Sequence, residues 1–320
     1  MNLKKILKTI QENKTFLIST HVNPDPDALA SELVMADFLK KLRKRVYIIN
    51  ADDVPRRYSF LPGIHRIKKY VKNLAINYDV VIIMDCGDLD RIDKVKNLIV
   101  KDKMIINLDH HITNTLFGHL NLIAPKSSST AEILFDFLKF AKHKLTKKMA
   151  ILLYTGIMTD TGSFRYDSTT EHTHEVVGDL MKFKFSISEL YKRMYERVSL
   201  SDFRLFTKVL NNFRMVFNGR AVFVELRKSN IKKFSEEFDL KDKIFTFLRT
   251  IKGVIVIVIL SEHKQNLTRV NFRSQGNTIN VSKLAHYFGG GGHRKASGCM
   301  IDAPIAQARR RLLLKLEHML

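Results

Sequence analysis

An α/β protein of two domains, the first built on a mostly parallel sheet with helices on both faces, is predicted by three observations. Short apolar runs of strand length alternate with helix-periodic segments from Thr15 to about Arg165, and such alternation implies parallel strands joined by crossovers. From Met215 the pattern changes to a hairpin signal followed by further strands, which marks a second, smaller α/β domain. The 320 residues suffice for two ordinary cores, and 45% hydrophobic against 27% charged residues describes a globular chain rather than a disordered one.

In order along the chain, Leu3, Ile6, Leu7 and Ile10 have the spacing of an amphipathic helix, where a secreted protein would carry an apolar signal core. The longest apolar run, 253–260, is strand-sized, too short to span a membrane, so a cytoplasmic protein is expected. Strands are predicted at 16–20, 46–50, 80–85, 104–108 and 120–123, and helices at 28–43, 130–142 and 146–159. Residues 168–213 read as helix almost throughout. The expected division is a first domain over 1–185, a helical connector over 186–214 and a second domain over 215–320. Within the second domain a hairpin over 215–225 turns at Asn218-Gly219. Strands follow at 254–260 and 268–273, then a helix at 281–288, a glycine run and a closing amphipathic helix at 304–320.

A formal net charge of +22 points to a polyanionic partner, most simply nucleic acid. Lysine dominates the basic residues and is scattered, a pattern that codon bias in an AT-rich genome also produces, so the charge alone leaves both readings open. Two cysteines, Cys86 and Cys299, are too few for a disulfide framework or a Cys-rich metal site. Any metal must therefore use oxygen and imidazole ligands.

The residues able to do chemistry gather in four clusters. His21, Asp25 and Asp27 stand in one strand-to-helix turn stiffened by Pro24 and Pro26. An Asp before a helix is ordinarily an N-cap, but only one of these can cap, and the others need a counter-charge. Asp85 ends the third predicted strand, Asp109-His110-His111 ends the next, and Asp160 ends a helical run. Taken singly, each reads as a cap or a surface pair. Successive ends of parallel strands share one edge of a sheet, however, so all four can converge on a single cleft. Five carboxylates there repel one another unless cations neutralise them. Mixed carboxylate and imidazole ligation suits Mn²⁺, with Mg²⁺, Fe²⁺ or Co²⁺ as alternatives.

The joint pattern resembles the DHH phosphoesterase superfamily. The match runs through His21-x-Asn23-Pro24-Asp25-x-Asp27, through Met84-Asp85-Cys86-Gly87-Asp88 with Arg91, through Asp109-His110-His111, and through Thr159-Asp160-Thr161-Gly162-Ser163-Phe164-Arg165-Tyr166. The carboxy-terminal part is similar to the associated DHHA1 domain through Val270-Asn271-Phe272-Arg273-Ser274 and through Gly289-Gly290-Gly291-Gly292-His293-Arg294-Lys295-Ala296-Ser297-Gly298. The resemblance implies a DHH metal-binding domain, a DHHA1 substrate-binding domain and an active-site cleft between them. It implies that His21, Asp25 and Asp85 hold one divalent ion, while Asp27, Asp85, His110 and Asp160 hold a second, with Asp85 bridging. By the same likeness Asp109 orients His110, and His111 faces the scissile phosphate. Arg273, Ser274 and His293 would grip the substrate, with Gly290, Gly291 and Gly292 letting backbone N–H groups approach a phosphate, and Arg269 and Arg165 as further contacts. Relatives commonly carry Gly where this chain has Pro26, which biases Asp25 toward an extended conformation.

With no additional strand-binding domain, the expected substrate is a mononucleotide or a short oligonucleotide, and the resemblance to family members of this length implies hydrolysis of short oligoribonucleotides to mononucleotides and removal of the 3′-phosphate of 3′-phosphoadenosine 5′-phosphate (pAp). Hydrolysis of cyclic di-AMP or linear pApA is the alternative within the same class. A non-catalytic nucleotide- or RNA-binding protein is the alternative outside it. The expected partner is a nucleotide or short RNA and not a membrane, and a homodimer stays open.

Overall fold

The computed structural model describes residues 2–276 and 278–320. The chain divides into two compact units, the first ending at Glu196 and the second running from Arg197 to Leu320.

The first unit opens with α1 (Asn2–Glu12), which buries Ile6 and Ile10. β1 (Thr15–Ser19) leads into α2 (Pro26–Lys41). Then come β2 (Arg45–Asn50), β3 (Ile67–Lys69), β4 (Val80–Met84), β5 (Met104–Asp109) and β6 (Leu120–Ile123). Helices α3 (Thr130–Phe140), α4 (Lys147–Asp160), α5 (Glu171–Met181) and α6 (Ile187–Tyr195) complete it. The six strands are all parallel, in the order β3-β2-β1-β4-β5-β6. The order reverses between β1 and β4, and the crevice beyond the carboxyl ends of such a pair is where open α/β sheets bind ligands.

Both faces of the sheet are buried, which is why its strands read as nearly unbroken apolar runs. Phe16, Ile18 and Ile82 pack with Leu33 of α2, Phe137 of α3 and Leu153 of α4. Leu17, Val81 and Ile83 face the other way, toward Ile92 and Val95 of a 3₁₀ segment, Leu89–Leu98. The predicted helix over 168–213 is three helices. Ser186 and Ser199 each start a new one, their hydroxyls accepting from Glu189 N and Asp202 N, and a capping serine stops one helix as it begins the next.

The second unit contains α7 (Leu200–Leu210), β7 (Arg214–Val216), β8 (Ala221–Leu226), α8 (Lys228–Ile231), α9 (Leu240–Leu248), β9 (Val256–Lys264) and β10 (Leu267–Ser274). α10 (Val281–Tyr287), β11 (Gly291–His293), β12 (Ala296–Ile301) and α11 (Ile305–Glu317) follow. Its sheet runs β11-β12-β10-β9-β8-β7, parallel only between β8 and β9. The predicted hairpin is β7–β8, and Asn218 and Gly219 in its turn have φ of 56° and 83°. Along β9 the side chains alternate. Val256, Val258 and Leu260 join a core with α10 and α11, whereas Ile257 and Ile259 join one with α7 and α9.

Within the glycine run, Gly291 and Gly292 lie in β11, paired with β12. A Cβ at Gly292 would lie 2.6 Å from Ser297 Cα, and one at Gly290 would run into Gly298 O and Cys299. Close approach of two backbones thus explains two of the four glycines. Among the described residues, no helix is long and apolar enough to cross a membrane. Cys86 and Cys299 are both free and buried.

Candidate metal centre

Asp85 is the hub of the first unit's carboxyl edge. Directly after β4 its backbone turns out of the sheet at φ 52°, a left-handed conformation that a short polar residue tolerates. Its N–H still donates to Leu108 O of β5 at 2.9 Å, which keeps the turn against the neighbouring strand. His21 Nε2 stands 3.5 Å from the buried carboxylate, His110 Nε2 3.6 Å and His111 Nδ1 3.8 Å. Thr130 Oγ1 donates to Asp85 Oδ1 at 2.8 Å. Burial alone would raise the pKa of Asp85, but the bond from His21 and the charges of the three imidazoles outweigh it and hold the carboxyl well below its usual range. Burial likewise pulls His21 down, yet Asp85 and Asp25 prevail and push it up to about 9.

Asp25 and Asp27 are placed by two helix starts. Asp25 is the N-cap of α2, with ψ of 178° and Oδ1 accepting from Ala28 N at 3.0 Å. That extended backbone is what Pro26 imposes on the residue before it, and Pro26 itself occupies the first helical position, where proline is favoured. Proline therefore preserves the turn. Asp25 Oδ2 lies 3.9 Å from His21 Nε2. Asp27 is fully buried, and its two oxygens accept from Thr130 N (2.8 Å) and Ala131 N (3.0 Å), N–H groups at the start of α3 that have no partner within their own helix. Asp160, the last residue of α4, places Oδ2 3.1 Å from His110 Nε2. Burial, then Asp85, Asp160 and Asp25, push the carboxyl of Asp27 well above its usual range. Burial, then Asp25 and Asp85, do the same to Asp160.

Candidate ligand atoms of His21, Asp25 and Asp85 all lie within 4.8 Å of one another. The same holds for Asp27, His110 and Asp160, and for Asp85, His110 and His111. Three imidazoles and four carboxylates gathered in this way form a donor set that divalent cations suit, because a cation offsets the repulsion among the acids.

Residues 15–157 match the model of the DHH family N-terminal domain, and residues 231–320 that of the DHHA1 domain. A Thermus thermophilus protein named bifunctional oligoribonuclease and PAP phosphatase NrnA is 31% identical, over 97% of this chain and 90% of its own. The chain belongs to the DHH family. A Bacillus subtilis protein of the same name is also 31% identical, over 93% of this chain and 92% of its own. Among solved structures, an exopolyphosphatase-related protein from Bacteroides fragilis is similar with a TM-score of 0.92 at 27% identity, over 99% of this chain and 96% of that one.

Within this DHH centre one expectation is corrected. Asp109 Oδ1 pairs with His111 Nδ1 at 2.6 Å, and Oδ2 accepts from Asn114 Nδ2 at 2.6 Å. The imidazole that Asp109 orients is therefore His111 and not His110. Side chains two apart on an extended chain share a side, and Asp109 is the last residue of β5.

Two residues of the centre escaped the sequence reading. Thr130 was legible only as part of a Ser127-Ser128-Ser129-Thr130 helix start, with nothing to mark a hydroxyl that reaches Asp85. Gly156, in the middle of α4, lies against Asp27, and an isolated glycine inside a helical pattern is a signal of close approach. Thr130→Val keeps the shape and deletes the O–H bond to Asp85. Its kcat/KM is expected to fall about 10- to 100-fold, the usual size for losing a partner that orients a ligand, with the melting temperature little changed. Steady-state kinetics beside a thermal melt checks this.

Of the predicted substrate contacts, Arg165 lies in the first unit, its Nε donating to Gly162 O at 2.6 Å. Arg269 and Arg273 are exposed on one face of β10, the Arg273 guanidinium 4.9 Å over the ring of Phe245. Ser274 is buried and donates to Arg294 O at 3.3 Å. Gly290, Gly291 and Gly292 lead into and form the start of β11. The side chain of His293 lies outside the described residues.

Proposed function

We propose that this protein is a two-metal phosphoesterase that hydrolyses short oligoribonucleotides to mononucleotides and removes the 3′-phosphate of pAp. The observation that carries the proposal is the buried Asp85 carboxylate with His21, His110 and His111 around it. It stands in a chain 31% identical, over nearly its whole length, to relatives named for those two activities. His21, Asp25 and Asp85 hold one ion, and Asp27, Asp85, His110 and Asp160 the other, with Mn²⁺ the best match to the donor set. When bound, such ions act as Lewis acids on phosphoryl oxygens and offset the charge that builds up during displacement at phosphorus.

The chain's own part is to position and to hold protons. Asp109 takes up Nδ1 of His111 and so orients the ring, and His111 is assigned to the scissile phosphate. Burial pulls the pKa of His111 down, but Asp109 and Asp85 outweigh it and raise it above the usual imidazole value. In the DHHA1 domain Arg273, Ser274, His293, Arg269 and the glycines Gly290, Gly291 and Gly292 are assigned to the remainder of the nucleotide, with Arg165 of the first domain.

The test is a substrate panel with purified protein and Mn²⁺, comparing 5′-labelled RNAs from dimers to long oligomers with pAp and cyclic di-AMP. Short RNAs should go to mononucleotides and pAp to AMP, both stopped by EDTA and restored by Mn²⁺. Preferential turnover of cyclic di-AMP or pApA would replace this reading with a cyclic-dinucleotide one. Nucleotide binding without hydrolysis would replace it with a non-catalytic one.

A further inference from the structure

Two residues beyond Asp160, the backbone enters a conformation that needs an explanation. Gly162, Ser163 and Phe164 are consecutive and all left-handed, with φ of 57°, 61° and 65°. For the two non-glycine residues this costs on the order of 1–2 kcal/mol each. Several bonds hold the turn in place. Ser163 N donates to Met158 O at 2.7 Å, Phe164 N to Thr161 Oγ1 at 3.0 Å, and Arg165 N and Tyr166 N both to Thr161 O. The ring of Phe164 packs near Tyr154 and His174, with centroids 6.0 and 5.7 Å away. Strain held by that many contacts beside a reactive centre points to a position that something downstream requires.

What the turn positions is Tyr166. Its ring lies against Gly162 so closely that a Cβ there would be 2.6 and 2.7 Å from the two Cε atoms. One side of the ring thus rests on bare backbone, yet the residue remains 42% exposed. The outcome is an aromatic ring mounted on a braced turn, six positions along the chain from Asp160, whose carboxylate belongs to the metal cluster.

We infer that Tyr166 is the stacking platform for a nucleobase of the substrate whose phosphate sits at the Asp85 and Asp160 cluster. This rests on the nucleotide phosphoesterase reading above and adds how the base is held. Every nucleobase has a π-face, so a platform of this kind binds bases without choosing among them. It therefore suits an enzyme that clears short RNAs regardless of sequence.

The test combines a kinetic and an optical readout. Tyr166→Ala should raise KM for a diribonucleotide about 10- to 100-fold, equivalent to about 1.4–2.8 kcal/mol, with a much smaller change in kcat. Tyr166→Phe should recover most of that loss. On a dinucleotide lacking its bases, the gap between wild type and Tyr166→Ala should close to within about twofold. The chain contains no tryptophan, so Tyr166→Trp installs a single reporter, whose fluorescence should be quenched by AMP and not by ribose 5-phosphate. A Tyr166→Ala defect of equal size on the base-free substrate, or no quenching by AMP, overturns the platform even if wild type degrades short RNA. Quenching by AMP in a protein that hydrolyses no dinucleotide would sustain the platform and overturn the enzymatic reading instead.

Discussion

Asp85→Asn is expected to lower kcat/KM by at least about 1000-fold while leaving a folded protein. Asparagine tolerates the left-handed backbone that Asp85 adopts and can still accept from Thr130, so neither the turn nor the packing is lost. What is lost is the negative charge facing three imidazoles and common to the His21, Asp25, Asp85 and the Asp85, His110, His111 groupings. Several kcal/mol of charge stabilisation go with it, and each 1.36 kcal/mol is a factor of about ten in rate. The same variant gives a second readout that does not depend on turnover. Metal at about 100 times its Kd should stabilise wild type by about 2.7 kcal/mol, a rise of roughly 5–10 °C for a domain of this size. Asp85→Asn should show little of that rise when Mn²⁺ is titrated in a thermal melt. Hydrolysis at the wild-type rate in this variant would mean that the centre lies elsewhere.

Gly156→Ala is expected to damage both the fold and the chemistry. Alanine is ordinarily the better helix former by about 1 kcal/mol, so at an open position the change would stabilise α4. Here the new Cβ would lie 2.5 Å from Asp27 Oδ1 and 2.7 Å from Ala131 Cβ. Overpacking of this kind costs about 1–3 kcal/mol, which exceeds the propensity gain at all but the lowest end. Asp27 must move, and a ligand displaced by about 1 Å can cost about 100-fold in rate. A lower melting temperature together with a loss of about that size is the expected pair of results. A stabilised and fully active variant would show that α2 and α4 have room to spare.

How far the sequence discloses this protein depends on how each feature is encoded. β1, β4 and β5 are buried on both faces, so they appear as apolar runs, and His21 after β1, Asp85 after β4 and Asp109 at the end of β5 mark the carboxyl edge of the sheet. The three-residue β3 and β11 carry no periodicity of their own and exist because a longer strand beside them offers partners. The His21, Asp25, Asp85 grouping could be anticipated because each residue ends or follows an element that the pattern reveals. Thr130 could not, and Gly156 shows in the sequence only as a glycine inside a helical pattern, since both roles depend on how closely α3 and α4 approach α2. The pairing of Asp109 with His111 is a matter of side-chain direction at a strand end, which a motif written in one line does not convey.

The all-parallel order of the first sheet makes its two rims chemically unequal. All the candidate ligands except Asp160, which ends α4, follow or end a strand at one rim, while the turns that feed β2, β4 and β5, around Arg43, Ile76 and Lys101, lie at the opposite rim. Fluorophores, affinity handles or fused proteins attached along that far border would leave the acids and imidazoles undisturbed, so the molecule carries its own natural side for immobilisation.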